Sequence, residues 1–381
     1  MGGGTQTMQS DRISEIVKEK PVKMLFALLR ASLHQQNAEL QYFENTTQNN
    51  WEECYRIAVK QGVMAIAWDG VLALPNTLQP PLKIKLIWAM AVERYEEKYM
   101  RYCKTVDELS TFYAKHSICT IQLKGVGLST LYPVPSHREG GDIDIYTCSA
   151  DKSRLSDAEA NQLADTLMKQ QGIDVEYIFY KHSHFNYKGI PIETHKFFVN
   201  VKGIKEARKA NKILHRELKP ITVELAEGRI AVPSPAFNTL FIAFHTLQHY
   251  GSGISLHHLC DWAMILKHYG LNMPEEMKSK KFMRGVCAMT QLCNRYLGTS
   301  IAVKDNEKVV DEMLIEIFDS PYKTVEPVKS KLGIIIYKTK RLLYRHHLKS
   351  SVFDVSLVKC IWDSIVFHIK RPHTIFARNR K

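Results

Sequence analysis

Asp142 and Asp144 stand two residues apart in Gly-Asp-Ile-Asp-Ile, alternating with Ile143, Ile145 and Thr147. On a β-strand this spacing projects both carboxylates from one face and both isoleucines from the other. Two hard oxygen ligands side by side suit a divalent cation, and an apolar opposite face anchors the strand so that the ligands do not drift. Glu193, between Ile192 and Thr194 on a second β-prone run, is the best placed third carboxylate. Three such groups can hold two Mg²⁺ ions roughly 3.5–4 Å apart, with Mn²⁺ as a substitute, and the ions offset the mutual repulsion of the acids.

Upstream, Lys124-Gly125 opens a short helical stretch. A lysine and a glycine at a helix start favour phosphate oxygens, because the glycine lets the backbone approach closely. The run is neither a Walker A loop nor a dinucleotide fingerprint. Arg138 precedes the aspartates, where a guanidinium can grip phosphate bidentately or pair with Glu139 or one of the acids. His195 shares a strand face with Glu193 and either points into the same cleft or packs as a structural histidine. His245 and His249 lie four apart on a helix but lack the Glu of a zinc-peptidase H-E-x-x-H. They either pack beside Phe241 and Phe244 or, with Asp261 of the next helix, line a nucleotide or acceptor cleft. The pairs His257-His258 and His346-His347 read as surface residues.

The elements that must position these groups can be read from periodicity. Residues 11–116 read as helical: an apolar stripe over Val22 to Leu33 after Pro21, a run from Trp51 to Gln61 ended by Gly62, and a long periodic run from Leu82 to His116. From Ser117 the pattern becomes β-prone through Leu123, followed by a brief helix over Leu128 to Tyr132 and then the aspartate strand. Ser156 to Gln171 reads as a capped helix closed by Gly172, and three strands follow at Val175 to Tyr180, His184 to Tyr187 and Ile190 to Phe197, the last two joined by Lys188-Gly189. Beyond Pro233 and Pro235 the helical period returns, with Phe237, Leu240, Phe241, Phe244 and Leu247 in one stripe and Ser255 capping a helix that ends at Gly270. The expected class is α+β: a small mixed sheet (117–232) between helical N-terminal (11–116) and C-terminal (233–381) regions.

The order Leu-Lys-Gly (123–125), Leu-Tyr-Pro (131–133), Arg138 and Gly-Asp-Ile-Asp (141–144) resembles the uncharacterised bacterial nucleotidyltransferase family of the DNA polymerase β-like superfamily. The likeness extends upstream to Trp51, Ala58 and Gln61-Gly62-Val63, and downstream to Ile-Glu-Thr-His (192–195) and the stretch from Phe244-His245 to Asp261-Trp262. It implies a polymerase β-like core with Asp142 and Asp144 as metal ligands and Glu193 as the third acid. Val126 stands where Gly or Ser commonly follows the first Gly, and Glu193 where Asp is commoner. The implied activity is transfer of a nucleoside monophosphate from an NTP to a hydroxyl acceptor with release of pyrophosphate, the acceptor being a saccharide or other small molecule, RNA or protein. A non-catalytic nucleotide- or RNA-binding module of the same fold is the competing expectation.

Composition bounds the rest. At 381 residues and 45% hydrophobic content the chain can build substantial cores. Its eight cysteines are scattered without a C-x-x-C pair or zinc spacing, which reads as buried thiols in a reducing compartment. Met1 to Ser10 lacks the apolar core of a signal peptide, and no stretch is apolar enough to span a bilayer, so the expected location is the cytoplasm. Of the net charge of +13, residues 329–381 carry thirteen Lys/Arg against two acids, a balance of +11. That block fits an anionic surface or simple solvation.

Overall fold

The computed structural model describes residues 15–178, 182–200, 203–322 and 330–370. Four helices come first: α1 (Lys20–His34), α2 (Gln48–Gln61), α3 (Met64–Leu72) and α4 (Leu82–Ala114). Thr47 caps α2 through a reciprocal bond with Asn50, and Gly62 ends the helix with φ 66°. Helices α1 and α3 pack almost backbone to backbone at Gly70, where a Cβ would lie 2.5 Å from the Leu28 carbonyl oxygen.

The chain then builds β1 (Ile118–Gln122), the single-turn α5 (Val126–Ser129), β2 (Ile143–Ser149), α6 (Asp157–Gln170), β3 (Val175–Ile178), β4 (His182–Tyr187), β5 (Ile190–His195), α7 (Lys205–Glu217), β6 (Ile221–Glu224) and β7 (Arg229–Val232). The seven strands form one mixed sheet in the order β3-β4-β5-β2-β1-β7-β6. Strand β2 pairs antiparallel with β1 and parallel with β5. Ser156 and Glu159 form the capping box of α6, and the β4–β5 turn places Lys188 at φ 51° and Gly189 at φ 82°, the backbone of a two-residue hairpin.

Several expected boundaries shift, among them the start of β4 at His182 rather than His184 and of α2 at Gln48 rather than Trp51. The brief helix sits over Val126–Ser129 rather than Leu128 to Tyr132, because the chain turns as soon as Gly125 allows it. Strand β5 stops at His195, before Phe197, and the expected end of β3 at Phe179 and Tyr180 lies outside the described residues. The strands β6 and β7 are four residues each and carry little sequence signal, whereas α7 before them has a readable one, with Ala207, Ala210, Ile213 and Leu214 at helical spacing on one buried face. Strand β6 lies at the sheet edge with Ile221, Thr222 and Glu224 exposed, so it lacks the buried alternation that marks β2.

Among the described residues six helices follow: α8 (Pro235–His249), α9 (Leu256–Tyr269), α10 (Lys280–Tyr296), α11 (Glu307–Asp319), α12 (Lys331–Val352) and α13 (Leu357–Lys370). Two cores result. One joins α1–α3 to α8–α11 and takes in Tyr146 and Phe198 from the sheet region. The other lies under the opposite face of the sheet, where Ile143, Ile145, Phe185 and Ile192 pack with the second half of α4 and with α6. The isoleucines of β2 therefore anchor it from one side and leave Asp144 on the other. The amino-terminal residues 1–14 and the basic residues Lys329 and Arg371 to Lys381 lie outside the described residues.

Candidate active site

The register of β2 against β5 sets Asp144 directly beside Glu193, with Ile143 beside Ile192 and Ile145 beside Thr194. Asp142 stands just before β2. A carboxylate oxygen from each of Asp142, Asp144 and Glu193 lies within 4.8 Å of the others. Asp144 is 1% exposed, whereas Asp142 and Glu193 are partly exposed at the mouth.

Two cationic donors hold the buried member. Lys124 Nζ lies 3.0 Å from Asp144 Oδ2, and His195 Nε2 lies 2.8 Å from Oδ1. Burial alone would raise the Asp144 pKa, but Lys124 and His195 outweigh it and keep the carboxyl well below the usual range. Burial likewise opposes the charge on Lys124, and Asp144 followed by Asp142 more than restores it. Asp142 moves the other way: burial first, and then the negative charge of Asp144, push its pKa up. Asp142 and Glu193 are thus the solvent-facing acids beside a buried, ionised Asp144, and a divalent cation would relieve the crowding of the three.

Gly125 makes the turn between Lys124 and α5. Its φ of 58° with ψ of −121° lies where side chains are disfavoured, and a Cβ there would meet the Asp142 carbonyl oxygen at 3.4 Å. The Gln122 amide bridges the carbonyls of Lys124 and Asp144, tying this turn to β2. Next to it a small open cleft is lined by Lys98, Tyr99, Tyr102, Gly125, Ser129 and Arg138. Lys98 donates to the Gly140 carbonyl at 2.5 Å and Tyr102 to the Gly141 carbonyl at 2.9 Å, so α4 holds the loop that leads into β2.

Arg138 is buried and committed elsewhere. Its Nε and Nη2 donate to the two oxygens of Asp261 at 3.0 and 2.7 Å, while the Tyr132 hydroxyl donates to the same carboxylate at 2.7 Å. The partner of Arg138 is therefore Asp261 on α9, not Glu139 or a metal-site acid. Glu139 instead accepts from the Ala65 amide at the start of α3.

His245 and His249 of α8 come together with His258 of α9, a ring nitrogen of each lying within 4.8 Å of the others. His258 is accordingly not a surface residue: burial, then His257 and His249, push its pKa well down, and Lys124 adds to the effect from the metal side. His257 is partly covered as well, with Nε2 3.4 Å from Asp261 Oδ2. Of the other pair, His347 is exposed and His346 partly covered.

His182, on β4 opposite His195, escaped the sequence reading. Its Nε2 is 3.5 Å from Glu193 Oε1, and it forms a second potential ligand group with Glu193 and His195. Only strand pairing shows this, since His182 and Glu193 belong to separate strands. Lys98 and Tyr99 were hidden for a similar reason: on a long helix of alternating charge nothing marks the turn that touches a cleft.

A family model described as an uncharacterised nucleotidyltransferase matches residues 47–298, more than half of the chain and all seven strands. Among solved structures, the crystal structure of an antigenic nucleotidyltransferase-like protein from Paracoccidioides brasiliensis is similar at 13% identity over 53% of this chain and 94% of that one, with a TM-score of 0.35. No curated protein sequence matches the chain. Neighbouring carboxylates on β2 and β5, a Lys-Gly turn against them and the family match lead to one conclusion: the chain belongs to this family of uncharacterised nucleotidyltransferases.

Proposed function

We propose that the protein transfers a nucleoside monophosphate from an NTP to a hydroxyl acceptor, with Mg²⁺ held by Asp142, Asp144 and Glu193. The observation that carries this reading is the convergence of the three carboxylates on two paired strands, with their negative charge only partly offset. In the reaction the acceptor oxygen bonds to the α-phosphorus while the bond to the bridging oxygen of the leaving pyrophosphate breaks. Bound divalent metal supplies charge neutralisation on the phosphoryl oxygens.

The chain's own residues supply position. His195 fixes the orientation of Asp144, which Lys124 keeps ionised. The Lys124 ammonium, at the Gly125 turn, is the cation placed to bear on phosphate oxygens. Glu193, partly exposed beside His182, is the group assigned to receive the acceptor proton. Arg138 serves here as a positioning residue that fixes the Tyr132–Glu139 loop to α9. His245 and His249 border the Lys124 side of the site through His258, which supports a nucleotide-lining role for them.

The test is transfer of α-phosphate label from mixed NTPs to a panel of hydroxyl acceptors, with pyrophosphate release followed in Mg²⁺, Mn²⁺ and EDTA. Metal-dependent release that vanishes in Asp144→Asn supports the proposal. NTP binding without turnover across the panel supports a binding module instead.

A further inference from the structure

Helix α13 carries its apolar stripe on the outside. Val358, Ile361, Trp362, Ile365 and Ile369 recur at i, i+3, i+4, i+7 and i+11, which is one face of an α-helix. All five are exposed, Val358 at 78%, Trp362 at 63% and Ile369 at 70%. The polar Cys360, Ser364 and His368 sit on the partly covered side, and no residue of the helix is fully buried. Helix α12 repeats the device, with Leu332, Ile335, Ile336 and Leu343 at i, i+3, i+4 and i+11, all exposed. A helix packed in the ordinary way turns such a stripe to the core. Among the described residues both helices instead present it to solvent, and exposed apolar stripes of this kind call for an external cover.

Cations border the stripes. Lys340 lies within a turn of Ile336 and Leu343, Lys359 within a turn of Trp362, and Lys370 directly follows Ile369. We propose that α12 and α13 dock this protein on an anionic lipid surface, the stripes entering the acyl boundary and the lysines meeting the headgroups. Among the described residues no helix is long and apolar enough to cross a membrane, and α13 has 14 residues, so the pair would lie in the plane of the interface. The charge complementarity selects this occupant. A balance of +11 over residues 329–381 opposes stripe-to-stripe pairing with a second copy. Single-stranded RNA would meet a single indole, Trp362, among the branched aliphatic side chains of the stripes, where base stacking needs a succession of aromatic platforms.

The experiment uses the full chain with vesicles of phosphatidylcholine, alone or mixed with phosphatidylglycerol, some carrying acyl-chain bromines. Trp51, Trp68, Trp88 and Trp262 are all 8% exposed or less, so bromine quenching of fluorescence reports Trp362. The protein should co-sediment with the anionic vesicles and not with pure phosphatidylcholine, with quenching that Trp362→Phe abolishes while binding persists. Because Ile361 and Ile365 are exposed, the double change Ile361→Asp, Ile365→Asp should leave the melting curve intact and lower partitioning about tenfold or more. The proposal is overturned if the protein ignores anionic vesicles, if it binds them without quenching, or if the double variant binds undiminished. It is equally overturned if the stripe residues are needed instead for dimerisation or for RNA binding.

Discussion

Two buried carboxylates beside buried cations, Asp261 and Asp144, show how one fold separates structural charge from chemical charge. Asp261 is closed: both oxygens are taken by Arg138, Tyr132 adds a third bond, and His257 stands 3.4 Å away. Burial would raise its pKa, yet Arg138 and then His257 hold it far below the usual range. Asp144 is equally well held by Lys124 and His195, but it has Asp142 and Glu193 as neighbours. The second group sets three acids against one lysine and two histidines, Lys124, His195 and His182, and opens to solvent through its outer members. A closed buried pair is a fastener, whereas an over-acidic cluster at a mouth is a cation site.

The largest expected effect separates the two groups. Asp144→Asn should reduce transfer on the order of 10³-fold or more, equivalent to about 4 kcal/mol of transition-state stabilisation, with the melting temperature little changed. Near-normal label transfer in this variant would remove Asp144 from the metal set. Arg138→Met should do the reverse, costing about 3–5 kcal/mol of stability in urea titrations because Asp261 is left buried without its cation. The double change Arg138→Met, Asp261→Leu should recover part of that loss, and a failure to recover would argue against a closed pair.

A smaller effect is expected at the phosphate side. Lys124→Ala should weaken NTP binding about tenfold in titration calorimetry, as loss of one charge-assisted contact does. EDTA should weaken it further in the native protein, and tight binding that ignores both changes would locate the nucleotide elsewhere.

The mildest prediction concerns His137, adjacent to Arg138 and clamped between Asp69 and Glu96 at 2.9 Å each. Burial opposes its proton, but Asp69 and then Glu96 raise its pKa overall. A raised folded-state pKa gives stability that is full below the unfolded value of about 6.5 and fades as pH rises through the folded one. Unfolding free energy should therefore fall as pH rises above about 6.5 in the native protein, and less steeply in His137→Gln. Equal slopes would show that His137 contributes nothing to the pH dependence.

Much of the architecture was legible because strong local rules agree with it. Pro21, Gly62, Ser156 and Gly270 mark helix ends by capping and backbone chemistry, and the Ile-Asp alternation of β2 needs no partner to be read. The weakly marked β6 was not legible, since an edge strand gains its stability from pairing rather than from a buried face, and β7, paired on both sides, offers only four residues of pattern. Site residues follow the same division. Asp142, Asp144 and Lys124 sit in one short stretch, whereas His182, His258 and Lys98 reach the site on separate elements.

The sequence by itself determined the two faces of β2, the Lys-Gly turn, the helix caps and the cationic bias of residues 329–381, because each depends on neighbours a few residues apart. Tertiary structure alone decided that Glu193 stands beside Asp144, that His195 and Lys124 share its carboxylate, and that Arg138 belongs to Asp261, 123 residues away. It also decided that the apolar stripe of α13 faces outward. Periodicity shows that a helix has an apolar side, but only packing decides whether that side meets a core or solvent.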